Sequence, residues 1–153
     1  MNCVRIDAKL LVLIGSILMS VASGCSTPAV GAPCLPEQVP TTGFNDLEAY
    51  VESSSVQCQT RVCLVYKLKG DPRPNCVMVA PTVDSKGNPV GGHDCASAAE
   101  LQKRVYCTCR CKAPSNTEFA NCECPDGFSC TNVLDQGDPG VRGSYCVKNG
   151  TAN

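Results

Sequence analysis

Fourteen cysteines are spread over 153 residues, and that density restricts the possible folds more than any other feature of the chain. It places the chain in the composition class of disulfide scaffolds. The cysteines have to stand in for missing greasy bulk. From Cys25 onward, Ile, Leu, Val, Met, Phe and Tyr supply 28 of 129 residues, and there is no Trp anywhere. A core that thin ordinarily needs covalent staples. The length is that of one domain. The formal net charge of −1 argues against a nucleic-acid surface and against a charged interaction tail.

Whether cysteines crosslink depends on where the chain lives, and the first 24 residues give an address. Arg5 and Lys9 form a charged start, Leu10 to Val21 an apolar stretch, and Ala22-Ser23-Gly24 a small-residue cut site, the three parts of an export signal. Twelve apolar residues rise about 18 Å as a helix, short of the roughly 30 Å hydrocarbon core of a bilayer. The run Val21-Ala22-Ser23-Gly24-Cys25 resembles the lipobox of bacterial lipoproteins. That resemblance implies cleavage before Cys25, a diacylglyceryl group on its thiol and acylation of the new amino group. Ser26, next in the chain, implies delivery to the outer membrane. Two or three acyl chains anchor stably, because each buried methylene contributes about 0.8 kcal/mol. The expected organisation is a signal over 1–24, a lipidated cysteine with a Pro-rich spacer over 25–42, and a stapled domain over 43–153.

Export makes disulfides the expected state of the remaining thiols. Removing Cys3 with the signal and Cys25 with the lipid leaves Cys34, Cys58, Cys63, Cys76, Cys95, Cys107, Cys109, Cys111, Cys122, Cys124, Cys130 and Cys146. Twelve is even, so six bridges are expected, each contributing about 2–4 kcal/mol. Spacing leaves roughly ten thousand connectivities open. Residues 105–112 (VYCTCRCK) alternate like a strand, with Cys107, Cys109 and Cys111 on one face and Tyr106, Thr108, Arg110 and Lys112 on the other. Same-face neighbours stand nearly 7 Å apart, a poor disulfide geometry. Each of the three sulfurs is therefore expected to reach a different segment. The opposite face is expected to be solvated, or a partner surface.

Cys122-Glu-Cys124-Pro-Asp-Gly-Phe-Ser-Cys130 resembles the second half of an EGF-like module, which closes a small hairpin around a Gly-aromatic pair. The resemblance implies a Cys124–Cys130 bridge. Elsewhere, Asn45 to Ser53 reads as a helix, with Asn45 and Glu48 at capping spacing and Leu47, Tyr50 and Val51 as its stripe. Arg61 to Leu68 alternates as a half-buried strand. Val77 to Val79 and Gly143 to Lys148 read as strands, 84–94 as loop, and Ser97 to Arg104 as a second helix with a capping box. The expected fold class is a small disulfide-rich α+β domain: two or three short antiparallel strands, one or two short helices and long loops.

Few residues offer chemistry. Cys107-x-Cys109-x-Cys111 and Cys122-x-Cys124 look like metallothionein spacing, suited to zinc or copper(I). Structural zinc sites prefer wider ligand spacing, and an oxidising envelope consumes thiols. The one histidine, His93, lies in a Gly-rich loop and reads as a solvated side chain rather than a base. Asp84 to Asn88 is laid out like a calcium loop, but Lys86 falls where an oxygen ligand belongs. With the lipobox, the phrases SSVQCQTRVCLVYKLKGDP, RVYCTCRCKAP and CPDGFSC resemble the small cysteine-rich lipoproteins of myxobacteria, a resemblance that implies an address and no reaction. The expected function is non-enzymatic: a membrane-tethered binding or structural module of the envelope. It would have no cofactor and no catalytic or metal-ligating residue. Its partners would be the membrane and a protein or envelope polymer. Thiolate metal binding and protease inhibition through a rigid loop (84–94 or 112–121) are the alternatives.

Overall fold

The computed structural model describes residues 29–114 and 121–151. Eight strands and one helix are assigned among them: β1 (Ala49–Ser53), β2 (Val62–Tyr66), β3 (Thr82–Val83), β4 (Pro89–Val90), α1 (Ala98–Arg104), β5 (Val105–Thr108), β6 (Arg110–Lys112), β7 (Phe128–Leu134) and β8 (Gly143–Lys148). All strand pairs are antiparallel, in a β1-β2-β5 sheet, a β3-β4 hairpin and a β6-β8-β7 sheet. Together with six disulfides this is a disulfide-rich α+β fold.

The run 105–112 does not form one strand. It leaves the first sheet at Cys109 and continues in the second as β6, with Cys109 giving its carbonyl to the Cys146 N–H at 3.1 Å. The sheet switch corrects the expected solvated face, because it folds the second sheet over the first. Tyr106 and Thr108 are fully buried. Tyr106 packs with Leu64, Tyr66 and Val147, and with Phe128 edge-on at 5.6 Å between ring centroids. Only Arg110 and Lys112 of the expected face come near solvent, and Arg110 is held by the Gly140 carbonyl at 2.8 Å. The opposite face of the first sheet carries Cys63, Val65, Val105 and Cys107 against Phe44, Cys58 and Leu68. β2 is thus covered on both sides, which corrects the half-buried strand expected over 61–68.

That second face is covered by the N-terminal arm. Gly31 donates to the Cys107 carbonyl at 2.8 Å, Cys107 donates to Ala32 at 2.7 Å, and Cys34 is bonded to Cys63. Phe44 and Gly70 exchange backbone hydrogen bonds at 2.9 and 3.0 Å. The spacer read over residues 25–42, with Cys34 inside it expected to be tied down, is bound to the domain from Gly31 onward. Its crossing is tight: a Cβ on Gly43 would lie 2.7 Å from the Gly70 carbonyl carbon, and one on Gly70 would lie 2.5 Å from the Asp94 oxygen.

The expected helix over 45–53 is a turn followed by a strand. Asn45 Oδ1 accepts the Leu47 N–H at 3.0 Å in that turn rather than capping a helix, Leu47 stays exposed and the chain enters β1. Tyr50 and Val51 suit a strand as well as a helix, and the open edge of β2 decides between them by pairing with β1. The second helix forms, with half of the expected box: Ser97 Oγ accepts the Glu100 N–H at 3.2 Å, while the Glu100 carboxylate pairs with Arg104. The last strand matches β8.

Candidate functional site

Six disulfides join Cys34–Cys63, Cys58–Cys107, Cys76–Cys95, Cys109–Cys122, Cys111–Cys130 and Cys124–Cys146, with Cα–Cα distances from 5.4 to 6.2 Å. Cys107, Cys109 and Cys111 each reach a different segment, as the alternation requires. The Cys124–Cys130 bridge implied by the EGF-like resemblance is not formed. The segment before β7 is laid along β6 and β8 instead, through Cys122 N–H to Arg110 O at 2.9 Å and Asn149 N–H to Gly127 O at 2.8 Å. That course delivers Cys124 to Cys146, while Cys130 turns to Cys111 in the bulge of β6. Sulfurs gather closely in three places: Cys34 with Cys58 and Cys107, Cys109 with Cys122 and Cys146, and Cys111 with Cys124 and Cys130. As disulfides these sulfurs are not thiolates, the form that binds soft metals. Cys3 and Cys25 lie outside the described residues, as do 115–120 of the second candidate inhibitor loop.

The Cys76–Cys95 bridge closes the base of a hairpin that the sequence shows only as loop. Its stem runs from the Val79–His93 bridge through Thr82↔Val90 and Val83↔Pro89 to the tip at 84–88. The tip is a self-contained turn, not an open calcium loop. Asp84 accepts N–H groups from Lys86 at 2.8 Å and Asn88 at 2.9 Å, and the Asn88 side-chain amide at 3.2 Å. These bonds, those from Asn88 foremost, hold its carboxyl below the usual range.

Beneath the hairpin sits a buried carboxylate. Asp71 is 2% exposed, and its backbone pairs with Asp94 and Ala96. Its carboxylate accepts the Arg73 N–H at 2.8 Å and a forked guanidinium contact, with Arg73 Nε at 3.0 and 2.9 Å from the two oxygens. Those hydrogen bonds from the Arg73 side chain hold the Asp71 carboxyl low, against the opposing push of burial. His93 Nε2 stands 3.9 Å from the same carboxylate, with its side chain only 15% exposed. The reading of His93 as a solvated loop residue is thus corrected: the hairpin folds it onto Asp71. Asp71, His93 and Cys76 come within ligand distance of one another, but the Cys76 sulfur is bonded to Cys95. The chemistry available here is electrostatic and structural, a fixed polar base for the hairpin. Beside it a groove of about 600 Å³ is lined by Leu35, Asp71, Cys76, Val77, Val79 and His93.

No family model matches the chain, and neither a curated protein nor a solved structure matches it. Among the described residues, no helix is long and apolar enough to cross a membrane.

Proposed function

We propose that this chain is an exported lipoprotein, anchored through Cys25 to the cell envelope at the outer membrane, whose stapled domain works as a binding or structural module rather than as an enzyme. The reading is carried by the cysteine balance. All twelve cysteines downstream of Cys25 are bonded to one another, and only Cys3 and Cys25 are left over. These are the two that signal removal and lipidation would take away. Twelve oxidised sulfurs belong to an oxidising compartment. The hairpin at 76–95 gives such a module something to present, and the backbone bonds of buried Asp71 to Asp94 and Ala96 fix its base to the domain.

Intact-mass analysis of the protein purified from membranes tests the reading. The expected mass begins at Cys25, carries two or three acyl chains, and falls short of the reduced chain by two hydrogens per disulfide. A full-length, unacylated protein with reduced thiols would refute it.

A further inference from the structure

We propose that the 76–95 hairpin lies on the lipid surface to which the chain is tethered, with its apolar stem among the headgroups and upper acyl chains; the proposal rests on the lipid-anchor reading of Cys25. The first observation is the stem itself. Every residue from Val77 to Gly91 is exposed. The strand register puts Val79, Pro81, Val83, Pro89 and, at the base, His93 on one face and Ala80, Thr82 and Val90 on the other. An antiparallel pair in water commonly keeps one face polar, and this stem has two apolar faces. Of the eight large apolar side chains exposed among the described residues, Val79, Val83 and Val90 belong to the stem and Val77 and Met78 lead into it; Leu35 lines the adjoining groove, and Leu47 and Val56 lie elsewhere. Such concentration marks a surface that something covers.

The second observation is where the tether joins. The arm is bonded to the domain from Gly31, six residues after Cys25, a reach of about 20 Å at full extension. Leu35, four residues farther on, lines the groove with Val77 and Val79. Leu35 thus brings the bound arm against the base of the stem. A tether that short keeps the stem near the bilayer, which favours lipid over a freely diffusing protein or a second copy.

The third observation is charge. The tip carries one carboxylate and one ammonium, Asp84 and Lys86, and Asp84 is tied up by its own turn. At the base, Lys69 and Arg73 are paired with Asp94 and Asp71, so docking is driven by apolar burial rather than by anionic lipid. A polar tip also keeps the stem flat in the interface, where amphipathic elements sink about 5–10 Å.

The chain has no Trp, so one introduced indole reports its own surroundings. The test uses the full-length protein purified from membranes, carrying either Val83→Trp or, as a control in the exposed β7–β8 turn, Gln136→Trp. Each is reconstituted in phosphatidylcholine vesicles whose acyl chains are brominated. The indole at position 83 is expected to shift to the blue and lose about half of its emission, the depth expected of interfacial burial. That loss should be equal at low and high salt, and the control should be unaffected. Equal, unquenched emission from both variants would overturn the proposal. So would a blue shift that grows with protein concentration and ignores bromine, which would assign the stem to a second copy or another protein. Quenching that disappears at high salt would also overturn it. Intact mass of the same samples reads the anchor separately. Acylation without quenching keeps the anchor and rejects the docking; quenching without acylation does the reverse.

Discussion

Cys63 on β2 and Cys107 on β5 stand directly opposite each other, yet neither is bonded to the other: Cys63 reaches back to Cys34, and Cys107 to Cys58. One cross-strand position thereby clamps the N-terminal arm and the β1–β2 loop onto the same sheet. Cys58–Cys107 closes the longest of the six loops by sequence separation, 49 residues, and Cys109–Cys122 the shortest, 13. Loop-closure entropy assigns the first about 4 kcal/mol and the second about 3. The double variant Cys58→Ala/Cys107→Ala is therefore expected to unfold at lower denaturant than Cys109→Ala/Cys122→Ala, as read from the denaturation midpoint. The reverse order would show that loop length does not set their contributions.

The second sheet predicts a specific chemical map. Digestion under non-reducing conditions should yield peptides linking Cys111 to Cys130 and Cys124 to Cys146. A peptide holding Cys124 and Cys130 in one closed loop would instead restore the EGF-like pairing and place 122–127 away from β6 and β8. Mass spectrometry of the fragments before and after reduction distinguishes the two.

What could be read from the chain in advance was local. The Ser97 cap and the strands over β2 and β8 depend on residues a few positions apart, and all three elements are present. What could not be read is set by distant partners. Tyr50 and Val51 went to a strand because β2 had an open edge. The alternation at 105–112 was visible, but the switch of sheets at Cys109 depends on Cys146, 37 residues away. The hairpin at 82–90 was hidden by its own brevity, two residues per strand around a polar turn. Its available signal was Asp84-Ser-Lys-Gly-Asn88 flanked by Val83 and Val90. The Asp71–His93 approach had no local signal at all, since 22 positions separate the two.

Tyr106 helps to link the two sheets through its hydroxyl oxygen, which accepts the Lys148 N–H at 2.9 Å. Tyr106→Phe keeps the ring against Phe128 but leaves that N–H without its acceptor, a loss of about 1–3 kcal/mol. The substitution also changes the alkaline limb. Burial raises the Tyr106 phenol above its ordinary value of 10.0. Because the folded value exceeds the unfolded one, this contribution is whole below about 10 and shrinks as pH rises through the folded value. Denaturant midpoints measured at neutral and alkaline pH should show wild type losing stability more steeply than the variant. Parallel losses would mean that Tyr106 does not drive the alkaline dependence.

Asp71 gives the opposite pH dependence. Its folded carboxyl is held low by Arg73, so its contribution is present above the unfolded value and is lost as pH falls through the folded one. Asp71→Asn preserves the shape while removing the charge from the Arg73 fork, and should lower stability at pH 7 by about 1.5–3 kcal/mol, the range of hydrogen bonds to a charged group. As pH falls below about 4 the unfolded chain takes up this proton first, and the two proteins should converge as pH falls on toward the lower folded value. Denaturation midpoints across that range decide the matter. A gap that stays constant into acid would mean that Asp71 acts through its shape and neutral hydrogen bonds, and that its charge does not help to hold the base of the hairpin.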